Sequence, residues 1–166
     1  MRVFEDEAKT FHFSRSRLKV IAMHPLIEEL GDDQKERLVS RKQPDFMKPM
    51  LATLTDRRFS DGDWIFERKF DGERCLVFCG GKKVRLMSRN KMRLNDTYPE
   101  LEDAFDGAGE GNFIADGEIV AFEGEVTSFS RLQDRMQIRD RRKARRSDVS
   151  VYYYLFDLMY LDGFDL

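Results

Sequence analysis

The sequence predicts an α+β fold with mostly antiparallel sheets flanked by helices. Three observations carry this. Runs rich in β-branched and aromatic residues recur along the chain from Asp45 onward, at Arg74–Cys79, Lys83–Ser88, Phe113–Phe122 and Val151–Leu158. Gly80-Gly81 separates the first two runs by a hairpin signal, so Lys83–Ser88 pairs back on its predecessor. Helical patterns lie between strands and are short, which argues against a parallel sheet wrapped by long helices.

Taken in order, residues 1 to 43 read as an N-terminal extension, partly helical and packed on the main domain. Phe11, Phe13 and the run Leu18–Ile21 are apolar without a clear period. Pro25 to Arg41 reads as helix, with Leu26, Ile27, Leu30 and Leu38 as its apolar points, and Gly31-Asp32-Asp33 interrupts it and can cap a second helix. Trp64–Lys69 reads as a short strand. Tyr98–Phe105 is a helix entered through Asn95-Asp96-Thr97, and Gly107–Gly111 is a loop. Phe129–Arg146 starts as helix, because Leu132 and Met136 stand four apart.

Composition narrows the classes. Charged residues make up 36% of the 166, but 29 basic and 31 acidic side chains leave a net charge of −2. Binding to nucleic acid must therefore come from local patches. No run approaches the roughly 18 apolar residues of a membrane span, and the acidic N-terminus lacks the apolar centre of a secretory signal. The sequence thus reads as cytoplasmic, with no membrane partner. Cys75 and Cys79 share one face of a strand and have no histidine near in sequence. They read as two small buried hydrophobes rather than a disulfide or zinc site.

The segment Glu67-Arg68-Lys69-Phe70-Asp71-Gly72-Glu73-Arg74 carries the chemistry. On a strand, Glu67 and Lys69 share a face. A lysine at a strand end facing a pocket is partly desolvated, which disfavours its ammonium form and frees the lone pair a nucleophile needs. Asp71-Gly72 turns the chain, and Arg74 returns as a fixed cation suited to ribose or phosphate oxygens. A plain strand–turn–strand with solvated charges is the alternative for any isolated motif of this kind.

The segment resembles K-x-D-G-x-R, the adenylation motif of DNA ligases, RNA ligases and mRNA-capping enzymes. Four fixed residues match by chance in a chain this long about once in a thousand, and companions follow in the family's order. Ser88-Arg89-Asn90 resembles S-R-N/S. Asp116-Gly117-Glu118-Ile119-Val120 resembles D-G-E-[IL]-[VI]. Tyr154-Leu155-Phe156-Asp157-Leu158 resembles the family's strand ending in F-D-[LI]. Lys48-Pro49-Met50-Leu51-Ala52, Tyr98-Pro99-Glu100-Leu101 and Phe129-Ser130-Arg131-Leu132-Gln133 are similar to the ligase domain of bacterial end-joining ligases. The resemblance covers about Asp45 to Leu166.

The resemblance implies an ATP-grasp-like nucleotidyltransferase fold and an ATP-dependent DNA ligase acting in DNA repair, with ATP and Mg²⁺ as cofactors and nicked double-stranded DNA as partner. By it Lys69 is the catalytic nucleophile that takes up AMP, with Asp71 and Gly72 in its motif. Glu67 lies beside the adenine, Arg74 and Arg89 serve ribose and phosphates, Glu118 serves ribose and metal, and Phe156 stacks on the base. The family continues to an acidic E-G-[VIL] motif, a K-x-K strand and an OB-fold domain. Leu166 precedes all three, so residues 44–166 are expected to be the N-terminal part of an adenylation domain, incomplete at the C-terminus, with the OB-fold absent and a complementing chain conceivable. A non-catalytic nucleotide- or DNA-binding remnant, and an RNA ligase or capping-type nucleotidyltransferase, are the alternatives. Arg131, Arg135 and Arg139 open a basic run continued by Arg141, Arg142, Lys143, Arg145 and Arg146. It reads either as a grip on DNA phosphates or as a solvated face.

Overall fold

A computed structural model describes residues 24–80, 83–106 and 111–166. The apolar positions Phe11, Phe13 and Leu18–Ile21, the Gly81 half of the hairpin signal and most of the Gly107–Gly111 loop lie outside the described residues.

The chain enters through two one-turn helices, α1 (Pro25–Glu28) and α2 (Asp32–Lys35), broken at Gly31 as the sequence predicts. Pro25 occupies the first turn of α1, where its missing N–H costs nothing, and the His24 side chain caps the Leu26 N–H at 3.2 Å. The expected helix does not continue to Arg41. Val39–Ser40 instead forms a short strand, β1.

Six further strands follow: β2 (Glu73–Gly80), β3 (Lys83–Ser88), β4 (Phe113–Glu123), β5 (Val126–Thr127), β6 (Val151–Leu161) and β7 (Phe164–Asp165). The helices α3 (Pro99–Asp106), α4 (Phe129–Met136) and α5 (Arg141–Ala144) lie between them. The sheet runs β1-β7-β6-β4-β2-β3 with β5 paired to β4, and every pairing is antiparallel. The α+β expectation holds.

β2 lies between β4 and β3, and all of Cys75–Cys79 is buried. A strand covered on both faces reads as a continuous apolar run. One face, with Cys75, Val77 and Cys79, packs with Leu86, Leu101, Ile119 and Leu132. The other, with Leu76 and Phe78, packs with Ile114 and Tyr160 under Phe46 and Met47. Each fully buried side chain of this size contributes about 1.5–3 kcal/mol. Both cysteines are free and buried, as the sequence predicts. Burial pushes both thiols up, Cys79 to about 12.

The outer edge of β3 is closed by a side chain. Asn95, fully buried, accepts from the Leu86 N–H at 3.1 Å and donates to the Val84 carbonyl at 3.0 Å. Its amide thus satisfies backbone groups that an edge would leave open.

The segment before β2 departs from expectation. Trp64–Lys69 forms no strand, and Met50 through Lys69 are all exposed. Trp64, Ile65 and Phe66 are 61%, 90% and 65% exposed. Strand propensity is realised only against a ladder partner and a face to cover, and among the described residues neither meets this segment. Its local order comes from aromatic contacts of Phe59 with Trp64 and Phe66, at 5.0 and 5.8 Å between centroids.

Candidate active site

The chain leaves the exposed segment at Phe70 and is pinned at Gly72. A methyl group on Gly72 would stand 2.1 Å from the Ile119 carbonyl oxygen and 2.9 Å from the Glu118 side chain. Only a residue without Cβ lets the loop lie this close to β4. The same approach gives Glu118 a hydrogen bond from the Gly72 backbone N–H.

Arg74 follows on β2, directly opposite Glu118 on β4. Its guanidinium donates to both carboxylate oxygens of Asp116, from Nε at 3.0 and 3.2 Å and from a terminal nitrogen at 2.5 Å. Asp116 is 1% exposed and Arg74 23% in its side chain, so the pair is largely out of water. Asp116 holds the Arg74 proton more tightly than water would, against the opposing effect of burial. Arg74 is thus aimed by a fixed fork, and it also lies 5.5 Å above the Phe156 ring.

Phe156 reaches the site through an irregularity. On β6, Leu155 faces Gly117 and Asp157 faces Asp116, so Phe156 is an extra residue in the ladder. Such a bulge re-aims a side chain that strict alternation would fix elsewhere. Gly117 belongs to the same device, because a methyl there would lie 2.4 Å from the Tyr154 carbonyl oxygen and from the Tyr153 ring. The glycine of the Asp-Gly-Glu segment is required by the Tyr153 ring, which crosses close over it so that its hydroxyl donates to the Cys75 carbonyl on β2.

Ser88 ends β3 and organises the next turn. Its hydroxyl accepts from the Asn90 and Met92 N–H groups at 3.3 and 3.1 Å, and Lys91 adopts φ 65°. The serine of Ser88-Arg89-Asn90 is therefore the turn's cap, which projects Arg89 and Asn90 outward.

These elements enclose an open cavity of about 670 Å³. Glu67, Lys69, Arg74, Arg89, Glu118 and Phe156 all line it, as does Gly72. Asp71 is exposed beside it and is not among the lining residues. Burial raises the Glu118 carboxyl above its ordinary value, against the Gly72 hydrogen bond and the positive charges of Arg74 and Lys69. Lys69 is close enough to act on that carboxylate. It is nonetheless exposed, not partly desolvated, because the strand expected to carry it does not form.

Two lining groups escaped the sequence reading. Glu73 sits at the mouth of β2, raised by burial and held by the Tyr98 hydroxyl at 2.5 Å. Phe129 and Met136 contribute the α4 wall. The alternation of β2 places Glu73 on the Cys75 face, but its partner Tyr98 lies 25 residues on and leaves no local signal.

The three arginines named for DNA separate. Arg135 is wholly buried, pairs with Glu100 at 2.6 and 2.8 Å and lies 5.8 Å from the Tyr98 ring centre. A guanidinium so enclosed cannot meet a phosphate backbone, so Arg135 is a packing residue. Arg131 is half-buried and donates to the Asp148 carbonyl. Arg139 is exposed, and its charge reaches Glu73 at the cavity. Further on, Arg141 and Arg145 pair with Glu102 and Asp103, while Arg142 is exposed.

Comparison with known proteins decides the family. The ATP-dependent DNA ligase domain model matches residues 49–166. This chain belongs to the ATP-dependent DNA ligase domain family. It is 36% identical over 121 residues to the multifunctional non-homologous end joining DNA repair protein LigD of Mycobacterium tuberculosis, covering 72% of this chain and 15% of that protein. To a probable DNA ligase of Koribacter versatilis it is 39% identical, covering 71% of this chain and 21% of the relative. To the DNA ligase of Methanocaldococcus jannaschii it is 32% identical, covering 81% and 24%. The matched part of this chain therefore spans only 15 to 24% of the length of these three relatives. The crystal structure of the M. tuberculosis LigD ligase domain matches at TM-score 0.50 and 34% identity, over 60% of this chain and 30% of that one. A mycobacterial DNA ligase D complexed with ATP and MES matches equally. No described helix is long and apolar enough to cross a membrane.

Proposed function

We propose that this ligase domain binds ATP in the 670 Å³ cavity and transfers AMP to Lys69, as the first step of sealing nicks in double-stranded DNA during repair. The observation that carries this reading is convergence. Six residues from five separate segments line one cavity, and each has the chemistry its place requires.

In the proposed step, the deprotonated Lys69 amine attacks the α-phosphorus of ATP. The P–N bond forms as the bond to pyrophosphate breaks, and pyrophosphate leaves with the bonding electron pair. The second amine proton is lost to water. The product is a lysine–AMP phosphoramidate, from which AMP passes to a 5′-phosphate of DNA. Most of the catalysis in such transfers is positioning and charge neutralisation. Arg74, held by Asp116, and Arg89, projected by the Ser88 turn, face the ribose and phosphates. Phe156 offers its ring to the purine, and Glu67 lies beside it.

A divalent cation is the one further group that this chemistry calls for, since Mg²⁺ would neutralise the departing pyrophosphate. Among the described residues no cluster of three acidic, histidine or cysteine side chains forms a cage. Mg²⁺ commonly needs only one or two carboxylates plus substrate phosphates, and Glu118 fits that single-carboxylate role. Arg139 and its exposed neighbour Arg142 are the residues we assign to DNA phosphates in place of Arg135. We read residues 44–166 as the part of the adenylation domain present here and residues 1–43 as an extension, of which β1 pairs with β7.

The test is covalent labelling. Incubation with α-³²P-ATP and Mg²⁺ yields a covalently labelled chain whose label survives alkali and is released by acid, as a phosphoramidate requires. The label is lost in Lys69→Ala and retained in Lys83→Ala. Lys69→Arg fails as well, because a guanidinium stays protonated. Label that survives Lys69→Ala overturns the choice of nucleophile. Nucleotide binding with no adduct in the unmodified chain would assign it the non-catalytic role.

A further inference from the structure

The residue between the nucleophile and the aspartate of the Lys-x-Asp-Gly segment is Phe70. It is the first covered residue after the exposed stretch Met50–Lys69, and Asp71 beyond it is exposed again. Its ring stacks on Tyr154 of β6 with centroids 4.3 Å apart and planes 26° apart. Arg68 adds a cation 5.7 Å from the Phe70 ring centre. Tyr154 is itself backed by Phe122 of β4 at 6.5 Å, and Phe122 meets Tyr152 at 5.2 Å. The aromatic row thus reaches from the loop into the sheet. Tyr154 stands opposite Glu118 and two residues before Phe156.

We propose that the Phe70–Tyr154 stack is the clamp that sets the position of Lys69 over the cavity, which makes both rings positioning residues for the adenylation step. The inference rests on Lys69 being the nucleophile. From Met50 to Lys69 the backbone meets no ladder and no cover among the described residues. Downstream it is fixed at Gly72. Without Phe70, the chain would be anchored only three residues past the lysine, and extended backbone spans over 3 Å per residue. The stack moves the anchor to the adjacent residue. It also refers the nucleophile to the strand that carries Phe156 and to the strand pair that carries Glu118, so three parts of the site share one frame. An offset aromatic pair favours its docked arrangement by roughly two- to tenfold beyond area burial.

Two readouts on the full chain test this. The first is zero-length carbodiimide cross-linking of the Lys69 amine to the Glu118 carboxylate, quantified by peptide mass spectrometry, which needs no ATP chemistry. Phe70→Ala and Tyr154→Ala each lower the cross-link roughly two- to tenfold. The double variant lowers it no further than either single, and Tyr154→Phe and Phe70→Tyr keep the unmodified yield. The second is the rate of AMP-adduct formation against ATP concentration. Phe70→Ala lowers the saturated rate while the half-saturating ATP concentration is unchanged. An unchanged cross-link in both alanine variants, or additive losses in the double, overturns the clamp. A rise in half-saturating ATP with a constant cross-link also overturns it, because the rings would then be binding nucleotide. The expected cross-link pattern in a chain that forms no adduct overturns Lys69 as nucleophile and leaves the clamp standing.

Discussion

Gly72→Ala is the sharpest perturbation the geometry offers. The added methyl would stand 2.1 Å from the Ile119 carbonyl oxygen. The closest comfortable carbon–oxygen approach is about 3.3 Å, so the loop must lift by roughly 1.2 Å. The obstacle is backbone in the centre of the sheet, which has no freedom to yield, so the loop yields instead. Lifting it strains the packing at a cost of about 1–3 kcal/mol. It also weakens the Gly72 N–H bond to the Glu118 carboxylate, and bonds to charged groups are worth about 1.5–3 kcal/mol. A combined loss of about 3 kcal/mol lowers the melting temperature of a chain of this size by roughly 6–12 °C. The functional loss is larger, because a misplacement of about 1 Å at a reacting group costs about a hundredfold. Differential scanning fluorimetry reads the first and α-³²P-AMP adduct formation the second. Gly62→Ala is the control, since nothing lies within 4 Å of the methyl it adds. A Gly72→Ala chain with unmodified melting and adduct rate would show that the contact of the loop with β4 does not organise the site.

Two other outcomes follow from the charge pairs in the cavity wall. Arg74→Ala leaves the Asp116 carboxylate, 1% exposed, without a partner, and stranding a buried charge costs about 3–5 kcal/mol. Asp116→Ala releases a guanidinium that already has access to water. Urea denaturation should therefore rank Arg74→Ala as the less stable variant, and the reverse order would contradict the burial of Asp116. For Glu118, burial raises the carboxyl above its ordinary value, so the folded state holds its proton more tightly than the unfolded chain. The stability this contributes is present at pH below the unfolded value near 4.3 and is lost as pH rises through the raised folded value. Glu118→Gln should flatten that decline in melting temperature just above the ordinary carboxylate range and should melt no lower than the unmodified chain at pH 7. A steeper decline would mean that the Gly72, Arg74 and Lys69 contacts outweigh desolvation.

The antiparallel α+β class, the strands β2, β3, β4 and β6 and the six cavity residues were legible along the chain, whereas the two-residue strand β5 was not. Strand alternation, hairpin glycines and fixed motif spacing are local signals, and the sheet expresses them directly. Cys75 and Cys79 could be read as buried for the same reason, since period 2 places both on one face of a strand covered on both sides. The expected strand at Trp64–Lys69 shows the limit. Its residues have strand propensity, but a strand exists only in a ladder, and pairing is not written in the segment itself. The desolvation of Lys69 inferred from that strand fell with it. Arg135 shows the same limit from the other side: its charge placed it on a DNA-facing surface, and Tyr98 with Glu100, some 35 residues earlier, enclosed it. The bulge that turns Phe156 toward Arg74, the close crossing that demands Gly117, and the stack of Phe70 on Tyr154 were decided only in the tertiary structure. Each depends on where two strands distant in sequence meet and in which register. The sequence by itself determined which residue types were available for the site. Their aim was set by cross-strand contacts, because a side chain's direction is fixed by the backbone and neighbours it packs against, and those are brought together only when the sheet forms.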